Sequence, residues 1–427
     1  MTQRRTRREF LRNTAAVASA AVLPTMAMPA IAQGAPRVVV IGGGFAGASA
    51  ARAIKQLNSN AQVTLVETNA TFTACPFSNV VIAGMRELSA QQFGYDKVRA
   101  SGINVVIGTA TGVNAQGQSV TLSDGASLPY DRLIVAPGID FRWGALPGYD
   151  EAASQKMPHA WKAGEQTTLL RRQLESMEDG GLVVMSVPAN PFRCPPGPYE
   201  RASLIAHYLK TKKPKSKLIV LDAKDQFSKQ RLFQNAWKEL YPNHLEWVSL
   251  SQGGKVASVE PGSMTLKTDF GEHVAKVANV IPPQKAGRIA DVAGVSNNTG
   301  WCPINATTFE SSLVPKIHVL GDATIAGGMP KSAFTANAQA KVCAAAVVKM
   351  LANQEPTQPK LINTCYSLVA PDYGISVAGV YRPVNNTLTE VEGSGGVSPA
   401  DAPKDFRVSE AVYAEAWFRT ITSEVWG

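Results

Sequence analysis

The chain has 427 residues, 45% of them hydrophobic and 18% charged, which predicts two or three domains with substantial cores and excludes a chain disordered throughout. The formal net charge is +9, but five arginines and one glutamate in residues 1–32 account for four of these charges. The remaining mild positive charge suits an anionic substrate or an acidic partner, and no Lys/Arg cluster interleaved with aromatic residues indicates nucleic-acid binding.

The first 32 residues have the form of an export signal. A twin-arginine motif, TRREFLR at residues 6–12, precedes a modest apolar run, and AIA at residues 30–32 offers a cleavage site. A basic anchor helix is the alternative, but Pro24 and Pro29 interrupt it, and neither this run nor any later one is apolar enough to span a bilayer. We therefore expect a periplasmic protein, exported by the twin-arginine route, with five cysteines in an oxidising compartment.

Residues 37–47, RVVVIGGGFAG, predict the turn of a dinucleotide-binding βαβ unit. The apolar run indicates a buried parallel strand, and a helical pattern follows to Leu57. Gly42, Gly44 and Gly47 have the GxGxxG spacing, which provides the tight turn, the close approach of a pyrophosphate and the packing of helix on strand. A glycine-rich turn without a ligand is the alternative, which this context disfavours.

The next strand, Gln62–Val66, supports the same prediction because it leads into an acidic residue. Glu67 lies 20 residues after the last glycine of the motif, where a carboxylate binds a ribose hydroxyl. The loop that follows carries Cys75, which has no CxxxxC partner because residue 80 is valine. A local redox disulfide is therefore excluded, and Cys75 is either structural or the attachment point of a flavin.

Further strands are predicted over residues 103–107, 119–122 and 130–135, the second of them turning back as a hairpin at Asp124-Gly125. A later strand, residues 316–320, ends in Gly-Asp, a pattern that typically places an aspartate, here Asp322, on the ribityl chain of a flavin.

A second βαβ unit repeats the layout of the first, with a strand at 180–187, a helix at 199–209 and a strand at 217–221 that leads into Asp222. Its turn contains five prolines instead of the glycines, so few amide donors remain for a pyrophosphate. We interpret this unit as a dinucleotide fold that has lost its dinucleotide. The turn carries Cys194, and Glu200 follows at the start of the helix, where a simple helix-dipole charge is the alternative role.

The remaining cysteines have different predicted roles. Cys302 and Cys343 are expected to be packed structural thiols, whereas Cys365 lies in the motif NTCYS of the tail. The last segment, Ser409–Trp426, has helical character and could be a membrane-surface helix, a partner-docking helix or part of the core. Its few flanking cations disfavour an anionic membrane.

The motifs RCPPGPYER at residues 193–201 and NTCYS at residues 363–367 resemble the flavoprotein subunit of flavocytochrome c sulfide dehydrogenase. The resemblance implies an α/β fold of the glutathione-reductase type, with two dinucleotide-binding domains and a C-terminal α+β interface domain. After the signal at 1–32, the FAD domain would comprise 33–148 and 271–354, the second domain 149–270, and the interface domain 355–427.

The same resemblance implies a cofactor, a partner and residue roles. FAD would lie on Gly42, Gly44, Gly47, Glu67 and Asp322 and be attached through its 8α-methyl group to Cys75. Cys194 and Cys365 would form a redox-active disulfide beside it, with Glu200 moving a proton. A c-type cytochrome subunit, which carries the haem, would take the electrons of sulfide oxidation in a heterodimer, and no metal site is predicted.

Three rival functions remain open at this point. A sulfide:quinone oxidoreductase shares the disulfide chemistry, but the export signal disfavours it. An NAD(P)H-dependent disulfide reductase conflicts with the proline-filled second turn. A flavin-bearing accessory protein of sulfur oxidation is the non-enzymatic alternative.

Overall fold

Two parallel β-sheets, each containing one βαβ unit, organise residues 34–427, which this computed structural model describes. The predicted export signal at 1–32 lies outside the described residues. Within them, no helix is long and apolar enough to cross a membrane.

The helices of the described chain are α1 Phe45–Leu57, α2 Ser78–Ile82, α3 Asp96–Ala100, α4 Glu165–Ser176, α5 Gly197–Lys212, α6 Gln230–Leu240, α7 Ile289–Val292, α8 Ala333–Leu351 and α9 Lys404–Trp426. The strands are β1 Arg37–Ile41, β2 Gln62–Glu67, β3 Phe72–Thr73, β4 Gln92–Phe93, β5 Asn104–Ile107, β6 Ala110–Asn114, β7 Ser119–Leu122, β8 Ser127–Pro129, β9 Arg132–Val135, β10 Ile139–Phe141, β11 Leu182–Val187, β12 Lys217–Asp222, β13 Leu245–Val248, β14 Val256–Glu260, β15 Thr265–Thr268, β16 Gly271–Val274, β17 Val277–Val280, β18 Gln284–Ala286, β19 Cys302–Pro303, β20 Ile317–Val319, β21 Thr324–Ile325, β22 Leu361–Ala370, β23 Tyr373–Val384, β24 Thr387–Glu390 and β25 Gly396–Val397.

The first sheet has the order β20-β9-β1-β2-β5, with every neighbouring pair parallel. Its central strand β1 is buried on both faces, which is why its sequence is an unbroken apolar run instead of an alternating one. Helix α1 packs against α8, so the return segment covers the same sheet that the first segment builds. The predicted glycine turn thus lies at the carboxyl end of a central strand, where open α/β sheets bind their ligands.

The second sheet has the order β13-β12-β11-β17 and is also parallel. It contains the predicted second βαβ unit, β11–α5–β12. Its fourth strand, Val277–Val280, pairs with β11 and lies beyond the predicted domain limit at residue 270. The segment assigned to the return of the first domain therefore begins by completing the sheet of the second.

The C-terminal segment is a sheet of β22, β23, β24 and β25 covered by helix α9. Of the three roles considered for α9, the structure shows packing into the core. The aromatic ring of Trp426 lies 4.9 Å, between ring centroids, from each of Phe45, Phe72 and Phe93. A buried aromatic side chain contributes about 1.5–3 kcal/mol by the removal of its apolar surface from water, so this cluster fastens the tail to the first domain.

The hairpin predicted at Asp124-Gly125 is present as the antiparallel pair β7–β8. The predicted strands and helices of both βαβ units are confirmed, with ends that differ by a few residues, and the α/β fold class is confirmed with them.

Candidate active site

The glycine turn has the geometry that the motif requires. Gly42 has a φ of +100°, and a Cβ at this residue would lie 2.3 Å from the carbonyl oxygen of Ala136. A Cβ on Gly47 would lie 1.8 Å from the carbonyl oxygen of Gly42. Helix α1 begins after Gly44 with no side-chain cap and no acidic residue in its first turn. Its free N–H groups and positive dipole end are therefore available to an anionic ligand.

Glu67 lies beside this turn, as predicted. One carboxylate oxygen accepts a hydrogen bond from the Gly43 N–H at 2.7 Å, and the other accepts one from the Asn69 N–H at 3.0 Å. The side chain is half-buried and faces a large cavity.

That cavity has a volume of about 850 Å³ and brings together residues from the whole described chain. This volume lies in the range of ligand cavities, about 300–1,000 Å³. Every predicted site residue except Gly47, which lies behind the turn, lines it: Gly42, Gly44, Glu67, Cys75, Cys194, Glu200, Asp322 and Cys365.

Asp322 provides a direct test of whether a flavin fits this cavity. Its Oδ1 is buried without a hydrogen-bond partner in the described chain, and its Oδ2 lies 4.0 Å from a guanidinium nitrogen of Arg193. Burial raises the pKa of this carboxyl group, and Arg193 and Lys331 oppose the rise. A buried acceptor without a donor is costly, and a ribityl hydroxyl would supply the donor. The residues present therefore fit the predicted cofactor.

Cys75 lies on the loop between β3 and α2, with its Sγ 3.8 Å from the carbonyl oxygen of Trp161. The guanidinium group of Arg193 donates to the same carbonyl. The thiol thus faces the cavity beside a cation. Its covalent attachment to a flavin stays a prediction.

Cys194 lies in the proline-rich turn between β11 and α5, and Cys365 lies in β22. Both line the same cavity, and each is half-buried. All five cysteines are free thiols in this structure. Cys194 has a φ of +57°, unusual for a residue other than glycine, and its N–H donates to the carbonyl of Lys331 at 2.8 Å. Strained backbone of this kind is common at functional sites, and the hydrogen bond ties the proline-rich turn to the return segment.

Cys302 and Cys343 are buried away from the cavity lining. Burial raises the pKa of the Cys302 thiol to about 12 and also raises the pKa of Cys343. Lys331 and Arg132 oppose these rises only in part. Neither thiol has the exposure of a reactive cysteine.

Glu200 lies in the first turn of α5 but does more than complement the helix dipole. Its Oε1 accepts a hydrogen bond from the Leu368 N–H, and its Oε2 accepts one from the Asn79 side chain, both at 2.8 Å. It therefore links the proline-rich turn to strand β22, which carries Cys365. Burial raises the pKa of Glu200 despite these hydrogen bonds, which lower it.

The turn of the second βαβ unit is filled by side chains. The rings of Tyr199 and Phe227 stack with centroids 3.5 Å apart. Asp222, the counterpart of Glu67, is fully buried and accepts hydrogen bonds from Tyr199 Oη at 2.6 Å, Trp247 Nε1 at 3.0 Å and Lys224 Nζ at 2.6 Å. Its oxygens are thus already used, which supports the interpretation that this unit has lost its dinucleotide.

Three family descriptions match the sequence. Residues 36–179 match pyridine nucleotide-disulphide oxidoreductases, residues 167–282 match the central part of the sulfide dehydrogenase [flavocytochrome c] flavoprotein chain, and residues 357–426 match the flavin-binding part of flavocytochrome c sulphide dehydrogenase. A 48-residue sequence of the sulfide dehydrogenase [flavocytochrome c] flavoprotein chain from Chlorobaculum thiosulfatiphilum is 54% identical over its whole length, which is 11% of this chain. The chain belongs to the flavocytochrome c sulfide dehydrogenase flavoprotein family.

More distant relatives and solved structures are also similar to this chain. The mitochondrial sulfide:quinone oxidoreductase of Mus musculus is 25% identical over 333 residues, covering 75% of this chain and 72% of the relative. The solved structure of the sulfide:quinone oxidoreductase from Aquifex aeolicus has a TM-score of 0.73 at 17% identity, covering 91% of this chain and 92% of that one. The covalent putidaredoxin reductase–putidaredoxin complex follows with a TM-score of 0.64 and 18% identity over 89% of this chain and 93% of that one. These structures confirm the fold.

Sequence reasoning missed a buried arginine, Arg201, that lines the same cavity. Arg201 is 2% exposed, and it donates to Asn79 Oδ1 at 2.9 Å, Asn279 Oδ1 at 3.1 Å and the carbonyl of His159 at 2.9 Å. Its guanidinium carbon also lies 4.8 Å from the ring centroid of Trp161. Burial lowers the pKa of Arg201 to about 9. The only available signal was its position directly after Glu200 in the RCPPGPYER motif.

A second unpredicted feature is a pair of hydrogen bonds that support the backbone of the glycine turn. The carbonyl oxygen of Gly43 accepts hydrogen bonds from Tyr95 Oη and from Trp426 Nε1, each at 3.1 Å. Both side chains are almost fully buried. Nothing in the local sequence indicates that residues so distant in the chain meet at this carbonyl.

Among residues 34–427, no group of His, Cys, Asp or Glu side chains is arranged to hold a metal ion.

Proposed function

We propose that this chain is the flavoprotein of a sulfide:cytochrome c oxidoreductase, oxidising sulfide at Cys194 and Cys365 with FAD in the central cavity. The observation that carries the proposal is that both cysteines and Glu200 line the cavity into which the glycine turn opens. Family membership supports sulfide as the substrate and a flavin as the cofactor.

The chemistry of the two cysteines starts from their oxidised form. Hydrosulfide attacks one sulfur of a Cys194–Cys365 disulfide, so a new S–S bond forms, the original bond breaks, and its electron pair leaves on the other cysteine. The products are one cysteine persulfide and one cysteine thiolate. The substrate sulfur is oxidised, and the disulfide takes up the two electrons.

Charged residues around the cysteines suit an anionic substrate. The half-buried Arg193 and the buried Arg201 are guanidinium groups at the cavity wall, which favour entry of the hydrosulfide anion. Glu200, whose pKa burial raises, is placed to hold or deliver a proton when the persulfide is released.

The residues that would hold FAD are those of the glycine turn, Glu67 and Asp322, with Cys75 as the attachment point. When bound there, FAD supplies acceptance of two electrons and their release one at a time to a haem. The family's c-type cytochrome subunit is the proposed acceptor, in a heterodimer with this chain.

The decisive experiment measures reduction of the bound flavin by sulfide under anaerobic stopped flow. Replacing Cys194 or Cys365 with Ser is expected to slow that reduction by at least about 1,000-fold, the scale of removing one member of a reacting unit, while FAD stays bound. Cys302→Ser and Cys343→Ser are the matched controls and should keep the wild-type rate if they fold. Wild-type rates in either active-site variant would refute the proposal.

Covalent attachment has a separate test. Acid-precipitated wild-type protein should retain flavin absorbance, whereas Cys75→Ser protein should release its flavin into the supernatant. Release from the wild-type protein would show that attachment through Cys75 is wrong without affecting sulfide oxidation.

A quinone acceptor is the second candidate, because the mouse sulfide:quinone oxidoreductase matches 75% of this chain. The purified protein should transfer electrons from sulfide to a c-type cytochrome faster than to a soluble short-chain quinone. The opposite order would favour the quinone.

The periplasmic location rests on the arginine pair of the TRREFLR motif. Replacing Arg7 and Arg8 together with Lys should retain the protein in the cytoplasmic fraction of the host. Unchanged export would disprove the twin-arginine route.

A further inference from the structure

The two active-site sulfurs lie in unequal surroundings. The Sγ of Cys365 accepts a hydrogen bond from the side-chain Nδ2 of Asn363 at 3.4 Å. Among the described residues, no comparable side-chain donor reaches the Sγ of Cys194, which instead lies against Gly197, where an added Cβ would approach it to 2.9 Å.

The amide of Asn363 is held in one orientation. Its Oδ1 accepts hydrogen bonds from Ser332 Oγ at 2.7 Å and from Thr335 Oγ1 at 3.1 Å. Ser332 is itself fixed as the N-cap of α8, because its Oγ accepts the Thr335 N–H at 3.0 Å. The thiol of Cys365 also lies within donating distance of Oδ1, at 3.7 Å from its Sγ, but the contact with Nδ2 is shorter at 3.4 Å. Because two hydroxyls already engage the oxygen, the NH₂ group is the partner that a Cys365 thiolate, which has no proton to donate, would keep. Such a donor binds a thiolate far better than a neutral thiol or a disulfide sulfur.

Lys229 places a buried positive charge behind the same cysteine. Its side chain is 7% exposed, and its Nζ donates to the carbonyl of Cys365 at 2.9 Å, to Ser367 Oγ at 2.8 Å and to the carbonyl of Ile375 at 3.4 Å. All three acceptors are neutral, so no directly bonded carboxylate cancels the charge. Burial lowers the pKa of Lys229 to about 8, and Cys365 exerts the strongest opposing attraction.

The other charged groups around the pair are unevenly distributed. Glu200 acts on Cys194, whose pKa is raised first by burial and then by Cys365 and Glu200, against weaker opposition from Arg193 and Lys229. Glu410 of α9 and Tyr381 of β23 also act in the region of Lys229 and Cys365. The buried guanidinium group of Arg201, like that of Arg193, acts on Cys194. Burial, Cys365 and Glu200 outweigh the cations, so the pKa of Cys194 stays raised and a negative charge is disfavoured there.

We propose that Asn363 and Lys229 are positioning residues that make Cys365 the leaving thiolate, so that hydrosulfide attacks the sulfur of Cys194. The inference rests on the proposed function, which does not say which cysteine is attacked. It assigns one sulfur as the site of attack and the other as the leaving group. The step is HS⁻ plus the Cys194–Cys365 disulfide giving Cys194–S–SH and the Cys365 thiolate. The bond between substrate sulfur and Cys194 forms, the disulfide bond breaks with its electron pair on Cys365, and the substrate proton stays on the persulfide.

The first experiment maps the persulfide. Oxidised holoprotein is mixed anaerobically with one equivalent of sulfide, quenched with iodoacetamide and digested for mass spectrometry. We expect the additional sulfur on the peptide of Cys194 and simple alkylation of Cys365. The additional sulfur on Cys365 would overturn the assignment while leaving the proposed function intact. No persulfide and no flavin reduction would contradict the proposed function, and the inference with it.

The second experiment needs no sulfide. Holoprotein with the disulfide reduced is alkylated over a pH series, and the pH of half-modification is measured for each cysteine. This pH reports formation of the thiolate, whereas the maximal rate of modification reports how easily the reagent reaches the sulfur. Cys365 should be modified at lower pH than Cys194. Asn363→Ala and Lys229→Met should each raise the half-modification pH of Cys365 by about one unit, a tenfold loss of thiolate, since neighbouring cations and donors favour that form.

Two further variants keep this test falsifiable. Lys229→Arg retains the charge and should restore a value close to the wild type. Lys224→Met removes a different buried lysine, bonded to Asp222, and should not move Cys365. If Lys229→Met does not fold, Asn363→Ala decides alone, and an unchanged value there would overturn the proposal.

Discussion

The two βαβ units of this protein share a layout and differ in what occupies the turn. In the first, glycines leave the N–H groups at the start of α1 open to the cavity. In the second, prolines remove amide donors, and Tyr199 of α5 stacks on Phe227. The parallel strands are alike in both, so we predict that the turn, and not the sheet, determines whether a nucleotide binds.

The acidic residues at the ends of the second strands show the same contrast. Glu67 is half-buried, accepts two backbone N–H groups and faces the cavity. Asp222 is fully buried and is bonded to three side chains. A carboxylate in the same topological position thus faces the cavity in one unit and is bonded within the protein core in the other.

The largest effect is expected when a side chain is placed in the open turn. In Gly47→Ala, the new Cβ would lie 1.8 Å from the Gly42 carbonyl oxygen, so the turn must move. In a Cys75→Ser background, which removes the proposed covalent link, FAD affinity should fall by at least about tenfold, or about 1.4 kcal/mol, measured as flavin content after dialysis. Gly262→Ala, where a Cβ meets nothing within 4 Å, is the control. Full flavin content in Gly47→Ala would contradict the prediction that the glycine turn binds the flavin.

The second turn should respond in stability rather than in flavin content. Tyr199→Phe removes a hydrogen bond to the buried Asp222 carboxylate, which is worth about 1.5–3 kcal/mol for a charged partner. The free energy of unfolding in urea should fall by that amount, with flavin content unchanged. Tyr208→Phe, on the same helix, should have little effect. Flavin loss in Tyr199→Phe would mean that the second turn still serves a nucleotide.

The pH dependence of stability tests Glu200, whose carboxyl group links the proline-rich turn to strand β22. Burial raises the pKa of Glu200 above its ordinary 4.5, so the folded protein holds a proton that the unfolded chain releases. This contribution to stability is complete below about pH 4.5 and is lost as the pH rises through the raised pKa, by about 1.4 kcal/mol for each pKa unit.

In Glu200→Gln, the decline of unfolding free energy as the pH rises above about 4.5 should therefore be smaller than in the wild type. Glu165→Gln, at an exposed glutamate of α4, should leave the decline unchanged. An equal decline in Glu200→Gln would show that its carboxyl group is ionised throughout this range.

The smallest effect is expected at the brace behind the glycine turn. Trp426→Phe keeps an aromatic ring but removes the donor to the Gly43 carbonyl, while Tyr95 still donates. One hydrogen bond is worth about 0.5–1.5 kcal/mol, so in a Cys75→Ser background FAD affinity should fall about two- to tenfold in equilibrium titration of flavin-depleted protein. Tyr413→Phe, at an exposed residue of α9, is the control, and an equal loss there would argue against the brace.

Local sequence was sufficient for the parts of the fold that local chemistry determines. The buried strands, the glycine turn and the proline turn follow from hydrophobic runs and from backbone restrictions, and the structure has them where they were predicted. The prediction that Cys194 and Cys365 meet came from resemblance to a family. No spacing or periodicity in the sequence relates a residue of the proline turn to a residue of strand β22. Long-range hydrogen bonds such as Arg201 to Asn279, or Trp426 to Gly43, depend on packing of the whole chain and left no local signal.

The bond between Trp426 and Gly43 joins residues 383 positions apart. A contact of such sequence separation requires closure of the whole intervening chain. The glycine turn therefore has this support only when the last helix is docked. By mass action, a ligand that binds the supported turn stabilises that docked helix. Cofactor loading and completion of the fold become one equilibrium, and slowed hydrogen exchange along α9 would report how full the cavity is.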